Sequence, residues 1–437
     1  MGKNHIYRTY TIRHLYFPIQ MHYVCSNPYI MPSTLIENIK GLAQILTSGN
    51  RMVKGVAMKS LAVMEDAYLL IEDGKIKGYG SMAIAPLRAD HIIDATGRYV
   101  LPCWCDSHTH IVYASPREAE FVDRINGLSY EDIANRGGGI LNSARKLNDT
   151  DESALYDSAW QRLEQMQGFG TGAVEIKSGY GLSYEGELKM LRVIKRLKES
   201  SRLPIKATFL GAHAFPLAFK QNHNGYLDLL MNDLLPKIAA EGLADYIDVF
   251  CDRGFFSPDE TARLLDAGAK YGLPPKIHAN ELDYSGGIEV GIKYKALSVD
   301  HLEFTGKEQI DALLDSNTMP TLLPSTAFFL GLHYPPARQM LDAGLPVALA
   351  TDFNPGSSPS GNMPFILSLA CVKLKMLPEE AIHAATINGA YAMGLEQEMG
   401  SIAIGKRANV IITKPMPSLN YMPYSFGTNL IEHTIIS

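Results

Sequence analysis

His108 and His110 stand two apart in Asp106-Ser107-His108-Thr109-His110, at the end of the apolar run Tyr99–His110. On an extended chain that spacing sends both imidazoles to one face, which is half of the donor set a divalent ion needs. Taken alone a His-x-His pair is weak, since most are surface or core histidines. Three further apolar runs end in the same kind of residue. Lys276–Glu281 carries His278 and Glu281, Leu297–His301 ends at His301 with Glu303 just beyond, and Val347–Asp352 ends at Asp352. A catalytic metal takes three or four protein ligands and keeps a position open for water. His108, His110, His278 and Asp352 supply that set from three run ends. Chance is a poor explanation for so many runs ending alike.

A metal in such a set lowers the pKa of bound water to about 7, which makes hydroxide available at neutral pH. Glu281 lies three residues past His278 and reaches the same cavity from the loop, where it can shuttle a proton to a leaving nitrogen. His301 has two candidate roles, orienting the water or stabilising a developing oxyanion. Asp352 can both bind metal and accept the water's proton. Spacing alone does not divide these roles.

Substrate contacts need other residues. Arg117, seven residues after His110, can clamp a carboxylate with two parallel N–H groups, although by itself it reads more plainly as a surface arginine. Tyr180 lies in Ser178-Gly179-Tyr180-Gly181, whose glycines let backbone approach a ligand. His213 ends the run Thr208–His213. Asn354, Gly356 and Ser357 follow Asp352 in a loop suited to exposing donors. For Tyr180, His213 and this loop, a structural role explains the residue types equally well. Lys177 invites a carbamylated, two-metal reading, but the single-metal set is already complete without it. Cys103 and Cys105 lie inside the run before His108, where packing explains them better than metal binding.

The elements that must position these groups alternate. Apolar runs at Tyr99–His110, Gly172–Ser178, Ile205–His213, Lys276–Glu281, Leu297–His301, Met319–Ser325 and Val347–Asp352 are separated by helical patterns such as Glu185–Lys198, Tyr226–Glu241, Ser257–Tyr271 and Lys307–Asp315. Repeated βα units with near-continuous apolar strands predict a parallel sheet covered on both faces. An eighth strand is expected at Ala244–Cys251 or within 140–165. Strand ends that carry His, Glu and Asp suit a (β/α)₈ barrel, whose active site forms at the C-terminal ends of its strands. Ala67–Glu72, Asp73-Gly74 and Lys75–Gly80 predict a hairpin. Apolar texture returns at Gly400–Gly405 and Ala408–Thr413, so both chain ends can pair into one small β domain. The expected divisions are an extension over 1–30, a small β domain from 31–98 and 396–437, and a TIM barrel over 99–395.

The chain has 437 residues, which suits a barrel of roughly 250 residues plus an accessory domain. A net charge of -6 gives no footprint for nucleic acid or an anionic membrane. No segment approaches the ~20 apolar residues of a membrane span. Five cysteines at scattered positions fit a reduced, cytoplasmic protein better than a disulfide framework. Residues 1–30 lack the pattern of a signal peptide. They are expected to be a poorly ordered extension, with Met31 as the natural start.

From about residue 62 to 415 the sequence resembles the amidohydrolase superfamily and, within it, the imidazolonepropionase family. The resemblance rests on Asp106–His110, Glu120-Phe121, Arg136-Gly137-Gly138-Gly139-Ile140, Thr208–His213, His278–Leu282 and Asp300–Glu303. It rests also on Glu175–Leu182 and Thr351–Pro359, within which Glu175–Gly181 and Asp352–Ser357 are much more specific than His-x-His. It implies a TIM barrel with a composite β-sandwich-like domain, and hydrolysis of 4-imidazolone-5-propanoate to N-formimidoyl-L-glutamate, the third step of histidine degradation. It further implies one divalent or trivalent ion per chain, zinc or iron, on His108, His110, His278 and Asp352. Arg117, Tyr180, His213, Glu281, Asn354, Gly356 and Ser357 would hold the substrate, in a cytoplasmic homodimer. Cys103 and Cys105 replace the family's usual Gly and Val-like residues, and Ser357 replaces a common Thr. None of these is an implied ligand.

Three other readings compete. A nucleobase deaminase or other cyclic amidase of the superfamily would share the metal but need no carboxylate clamp. A barrel serving only as a scaffold predicts missing ligands, and none is missing. A sugar-processing barrel would use paired carboxylates and has no use for His108 and His110.

Overall fold

At Asp73-Gly74 both residues adopt left-handed backbone, with φ of 50° and 71°, as a two-residue hairpin turn of the I′ type requires. The strands it joins are β2 (Val63–Glu72) and β3 (Lys75–Ser81). With β1 (Thr34–Ala43), β4 (His91–Asp94) and β5 (Tyr99–Pro102) they open a seven-stranded sheet. The computed structural model describes residues 32–437 apart from 48, 129–131, 133–135 and 137. The extension expected at 1–30, the expected start at Met31 and Gly137 of the glycine run lie outside those residues.

Eight parallel strands follow in chain order. They are β6 (Trp104–Asp106), β7 (Thr171–Lys177), β8 (Ile205–Ala212), β9 (Tyr246–Cys251), β10 (Pro275–Ala279), β11 (Ser298–His301), β12 (Met319–Leu322) and β13 (Ala348–Leu349). Each pairs with its neighbour in sequence, the topology of a TIM barrel. β14 (Val410–Thr413) and β15 (Ile431–Ile435) then return to the first sheet, where β14 pairs with β5. That sheet buries Ile36, Ile39, Leu69, Val100, Val410 and Ile412 in a core of its own.

Three elements differ from the sequence expectation, and the alternative left open for the eighth barrel strand is decided. The run Tyr99–His110 serves two sheets. Its first half is β5, paired with β1 and β14, and only Trp104–Asp106 enters the barrel. Apolar periodicity announces a strand but does not say which sheet receives it. The eighth barrel strand is β9, while 140–165 is helical in Gly139–Asp149 and Glu152–Gly168. At the other end, Gly400–Gly405 contributes a single bridge, Ile45 to Ile402. β14 instead pairs with β15 as well as β5, and of β15 only Ile431 is buried. The helix expected over Tyr226–Glu241 is His223–Asp228 and Leu235–Glu241, joined by a π-helical stretch at Leu229–Leu234.

Candidate metal centre and substrate cavity

The barrel's last seam is made by the residues that carry the chemistry. Beyond the ends of β6 and β13, the Asp352 amide donates to His108 O at 3.0 Å and the His110 amide donates to Phe353 O at 2.9 Å. This ladder sets His108 and His110 against Asp352, about 240 residues away in sequence. Asp352 takes up a left-handed φ of 53° to do so, and His301 and Leu302 stand at 86° and 71° at the end of β11. Non-glycine residues in that region are strained, and such strain concentrates at functional sites.

Nε2 of His108 lies 3.3 Å from Nε2 of His110, and each is 3.6 Å from Asp352 Oδ1. Atoms about 2.0–2.2 Å from one ion in tetrahedral array are separated by about 3.4 Å, so this triangle fits one metal. Asp300 Oδ2 accepts from His108 Nδ1 at 2.6 Å. The proton is thereby fixed on Nδ1 and the Nε2 lone pair faces the triangle. Thr326 donates to Asp352 Oδ2 at 2.6 Å, leaving Oδ1 toward the imidazoles. Burial, aided by Lys177 and the other imidazoles, keeps His108 neutral far below the usual histidine range; burial, His213 and His278 do the same for His110. Neutral imidazole is the coordinating form.

His278 joins from β10. Its register places it opposite Asp300 on β11 and Phe250 on β9. Its Nδ1 lies 3.0 Å from Asp248 Oδ2, yet neither ring nitrogen completes a hydrogen bond, and His110 Nδ1 is also unpartnered. A buried imidazole nitrogen without a partner is costly, and a metal would satisfy Nε2 of His278, whose Nδ1 faces Asp248. Ligand atoms converge in two groups, His108–His110–Asp352 and His108–His278–His301. His301 therefore stands close enough to coordinate, which the sequence reading did not anticipate. The donor set fits a divalent ion, and among the described residues no cysteine belongs to it.

Under this cluster lies a fully buried layer of charge. Lys177 Nζ donates to Glu175 Oε1 and Asp248 Oδ2, each at 2.7 Å, and Lys276 contacts Glu175 Oε2 and donates to Ser107 O at 3.0 Å. Burial by itself would lower Lys177, but Asp248, Glu175 and Asp300 outweigh it and hold it as an ammonium. Carbamylation requires a neutral amine, so this setting opposes a bridging role for Lys177. Cys103 and Cys105 are buried, and burial pushes Cys105 up to about 12. Both are packing thiols rather than thiolate ligands.

A cavity of about 600 Å³ opens above the metal cluster. Its walls include Arg117, Tyr180, His213, Glu281, Asn354, Gly356 and Ser357, together with His110, His278, His301 and Asp352. Arg117 is oriented by Glu120. Its Nε donates to Glu120 Oε2 at 2.8 Å and its Nη2 reaches the same oxygen, while Glu120 Oε1 accepts from the Gly139 amide at 2.9 Å. A Cβ at Gly356 would overlap Arg117 Nη1, so a side chain there would push the guanidinium aside. Asn354 Oδ1 accepts from the Gly356 and Ser357 amides at 2.7 and 2.8 Å, so this side chain shapes its own loop.

Tyr180 and His213 stand beside His110, with ring centroids 5.9 and 5.4 Å away. His213 Nδ1 donates to Gly179 O at 3.1 Å, and burial brings the ring down to about 3, so it is a neutral wall. Glu281 Oε2 lies 3.6 Å from His301 Nε2. Burial, with Asp352 and Asp252 nearby, pushes Glu281 up to about 8. A carboxyl poised near neutrality can both take and give a proton.

Comparison with known proteins agrees with this geometry. The amidohydrolase family model matches residues 99–436. An imidazolonepropionase of Flavobacterium johnsoniae is 59% identical over 404 residues, covering 92% of this chain and 98% of that one. One from Clostridium tetani is 43% identical over 402 residues, covering 91% and 96%. This chain belongs to the imidazolonepropionase family of the amidohydrolases. Among solved structures, E. coli guanine deaminase matches with a TM-score of 0.70 at 15% identity, covering 92% of this chain and 97% of that one. That likeness concerns the fold. Family membership makes the chain a hydrolase.

Several wall residues carried no signal in the sequence. Phe250 and Phe255 line the cavity, as do Leu330 and Leu332, yet each reads as ordinary core. Arg124 also lines it and donates to Gly356 O at 2.9 Å. Its spacing of seven from Arg117 was the available hint, since two turns of helix return to one face. Glu187 was missed as well. It is fully buried and accepts from the Gly179, Gly181 and Leu182 amides at 3.1, 2.8 and 2.9 Å, which fixes the loop that carries Tyr180.

Proposed function

We propose that this chain hydrolyses the ring amide C–N bond of 4-imidazolone-5-propanoate to N-formimidoyl-L-glutamate, the third step of histidine degradation. The observation that carries this reading is one cavity with a converging His/Asp cluster at its floor and the Arg117 guanidinium on its wall. Such a cavity suits a substrate that presents a ring carbonyl at one end and a carboxylate at the other. Family membership supports the same reaction.

The proposed ligands are His108, His110, His278 and Asp352, and the proposed ion is one zinc or iron per chain. When bound, it supplies Lewis acidity and an activated water. Arg117, already squared by Glu120, pairs with the propanoate and sets the ring's register. Tyr180 and His213 bound the ring's face and exclude water. Glu281 takes the proton lost by the attacking water and returns it to the ring nitrogen as the C–N bond breaks. His301 stands beside Glu281 and hydrogen-bonds the developing oxyanion. The reading includes a homodimer working in the cytoplasm, supported by the family resemblance of the motifs. Among the described residues no helix is long and apolar enough to cross a membrane.

The test is turnover of freshly prepared 4-imidazolone-5-propanoate, followed by loss of ring absorbance, with metal analysis on the same sample. Turnover with about one metal per chain, as a mononuclear site requires, supports the proposal. Metal without turnover on this substrate, together with turnover of a neutral cyclic amide or a nucleobase, would overturn it in favour of a deaminase or cyclic amidase.

A further inference from the structure

Asp252 is the residue immediately after β9, and it is 3% exposed. Its carboxylate turns toward the loop that follows β10. Oδ2 accepts from two consecutive amides, Glu281 N at 2.8 Å and Leu282 N at 2.9 Å. Oδ1 accepts from the Arg253 amide at 2.7 Å and from the Ser285 hydroxyl. One carboxylate thus gathers both ends of the 281–285 loop.

The need for such a clamp follows from the register. β9 and β10 run together as far as Cys251 and Ala279. Asn280 then leaves the sheet with a left-handed φ of 55°, and the ladder can no longer hold Glu281. The Asn280 side chain anchors only the root of the loop, donating to Phe304 O at 3.0 Å and accepting from the Gly287 amide at 3.2 Å. The Glu281 carboxylate lies 3.6 Å from His301 Nε2, too long for a hydrogen bond. Among the described residues no hydrogen bond aims the Glu281 side chain, so its aim is inherited from its backbone. Two adjacent N–H groups held on one carboxylate oxygen fix the peptide plane between Glu281 and Leu282.

We propose that Asp252 is a positioning residue for the proton transfer, acting through Glu281 by clamping the amides of Glu281 and Leu282 to the end of β9. The proposal rests on the reading of Glu281 as the proton shuttle. It assigns Asp252 no contact with substrate or metal. Misplacing a catalytic group by about 1 Å can cost about 10²-fold in rate. The loss should fall on kcat, because Asp252 does not line the cavity.

A double-mutant cycle of Asp252→Ala and Glu281→Gln tests it, with kcat, KM and bound metal read on 4-imidazolone-5-propanoate. The expected result is a kcat loss of about 10–10²-fold for Asp252→Ala, with KM within about threefold and metal retained. In the Glu281→Gln background the same substitution should cost less than about threefold, since coupled residues are non-additive. Asp252→Asn, which still offers one acceptor to both amides, should recover most of the wild-type rate. If Asp252→Ala does not accumulate folded, Asp252→Ser is too short to span the amides and should show the same coupling. An equal kcat loss in both backgrounds would overturn the proposal while leaving Glu281 its role. An unchanged rate in Glu281→Gln alone would remove that role and the proposal with it.

Discussion

His110, His278 and Asp352, at the floor of the cavity, and His108, packed against them, are carried by strand ends and by the hydrogen-bonded seam that closes the barrel. Arg117, on the wall, is carried by the residue before helix Glu118–Ile125 and braced by a carboxylate three positions on. Beneath the floor lie Glu175, Lys177, Asp248, Lys276 and Asp300, each buried and each engaged with another member of the layer or with a ring above it. A layer of this kind is expensive to disturb, because removing one partner strands another charge away from water. The wall is supported more lightly, by loops that bind one another through side chains of Asn354, Glu120 and Glu187. On the proposed roles the contrast is a division of labour, with the metal ligands fixed by the sheet and recognition placed on loops that can vary.

The most damaging way to test this division is at the floor. His278→Ala is expected to remove bound metal and activity together, measured by metal analysis and turnover on one sample. Retention of a full metal complement with lost activity would mean that His108, His110, Asp352 and His301 suffice as ligands. Next comes the group between floor and wall. Glu281→Gln is expected to keep its metal and lose about 10²–10⁴-fold in kcat, and an unchanged kcat would exclude it as the proton shuttle.

Arg117→Ala probes the wall alone. Hydrogen bonds to a charged group contribute about 1.5–3 kcal/mol, so kcat/KM on the propanoate should fall about 10–150-fold, mainly through KM, with metal intact. Activity on a neutral ring amide should be spared, and an equal loss on both substrates would deny Arg117 the role of clamp. The smallest effect on function, as distinct from stability, should come from beneath the floor. Asp300→Ala frees His108 to rotate and is expected to weaken metal affinity by about 10–100-fold, read by competition with a chelator. A change confined to KM would blur the distinction between the two ends.

The floor was legible in the sequence because its signals are short. His-x-His, His278 three residues before Glu281, and Asp352 at the end of an apolar run can each be recognised within a few positions, and strand periodicity fixes the side they face. The wall was legible only in part. Arg117 and Tyr180 stand in recognisable pieces, but Phe250, Phe255, Leu330 and Arg124 are ordinary residue types whose role depends on what lies across the cavity. Asp252 and Glu187 escaped notice for a related reason. Each acts by accepting backbone N–H groups, and any backbone can offer those.

The sequence by itself determined that strands alternate with helices, that their ends carry a metal-type donor set and that a hairpin turns at Asp73-Gly74, because all of these are local patterns of spacing and backbone preference. Only the tertiary structure decided that Tyr99–His110 is shared between two sheets and that β15 completes the first. It alone set Asp352 against His108 and His110 across the barrel seam, held Lys177 as an ammonium rather than a carbamate, and brought His301 within reach of the cluster. Those outcomes depend on which strands become neighbours and on how much charge is buried together, and both are set by contacts between residues far apart in the chain.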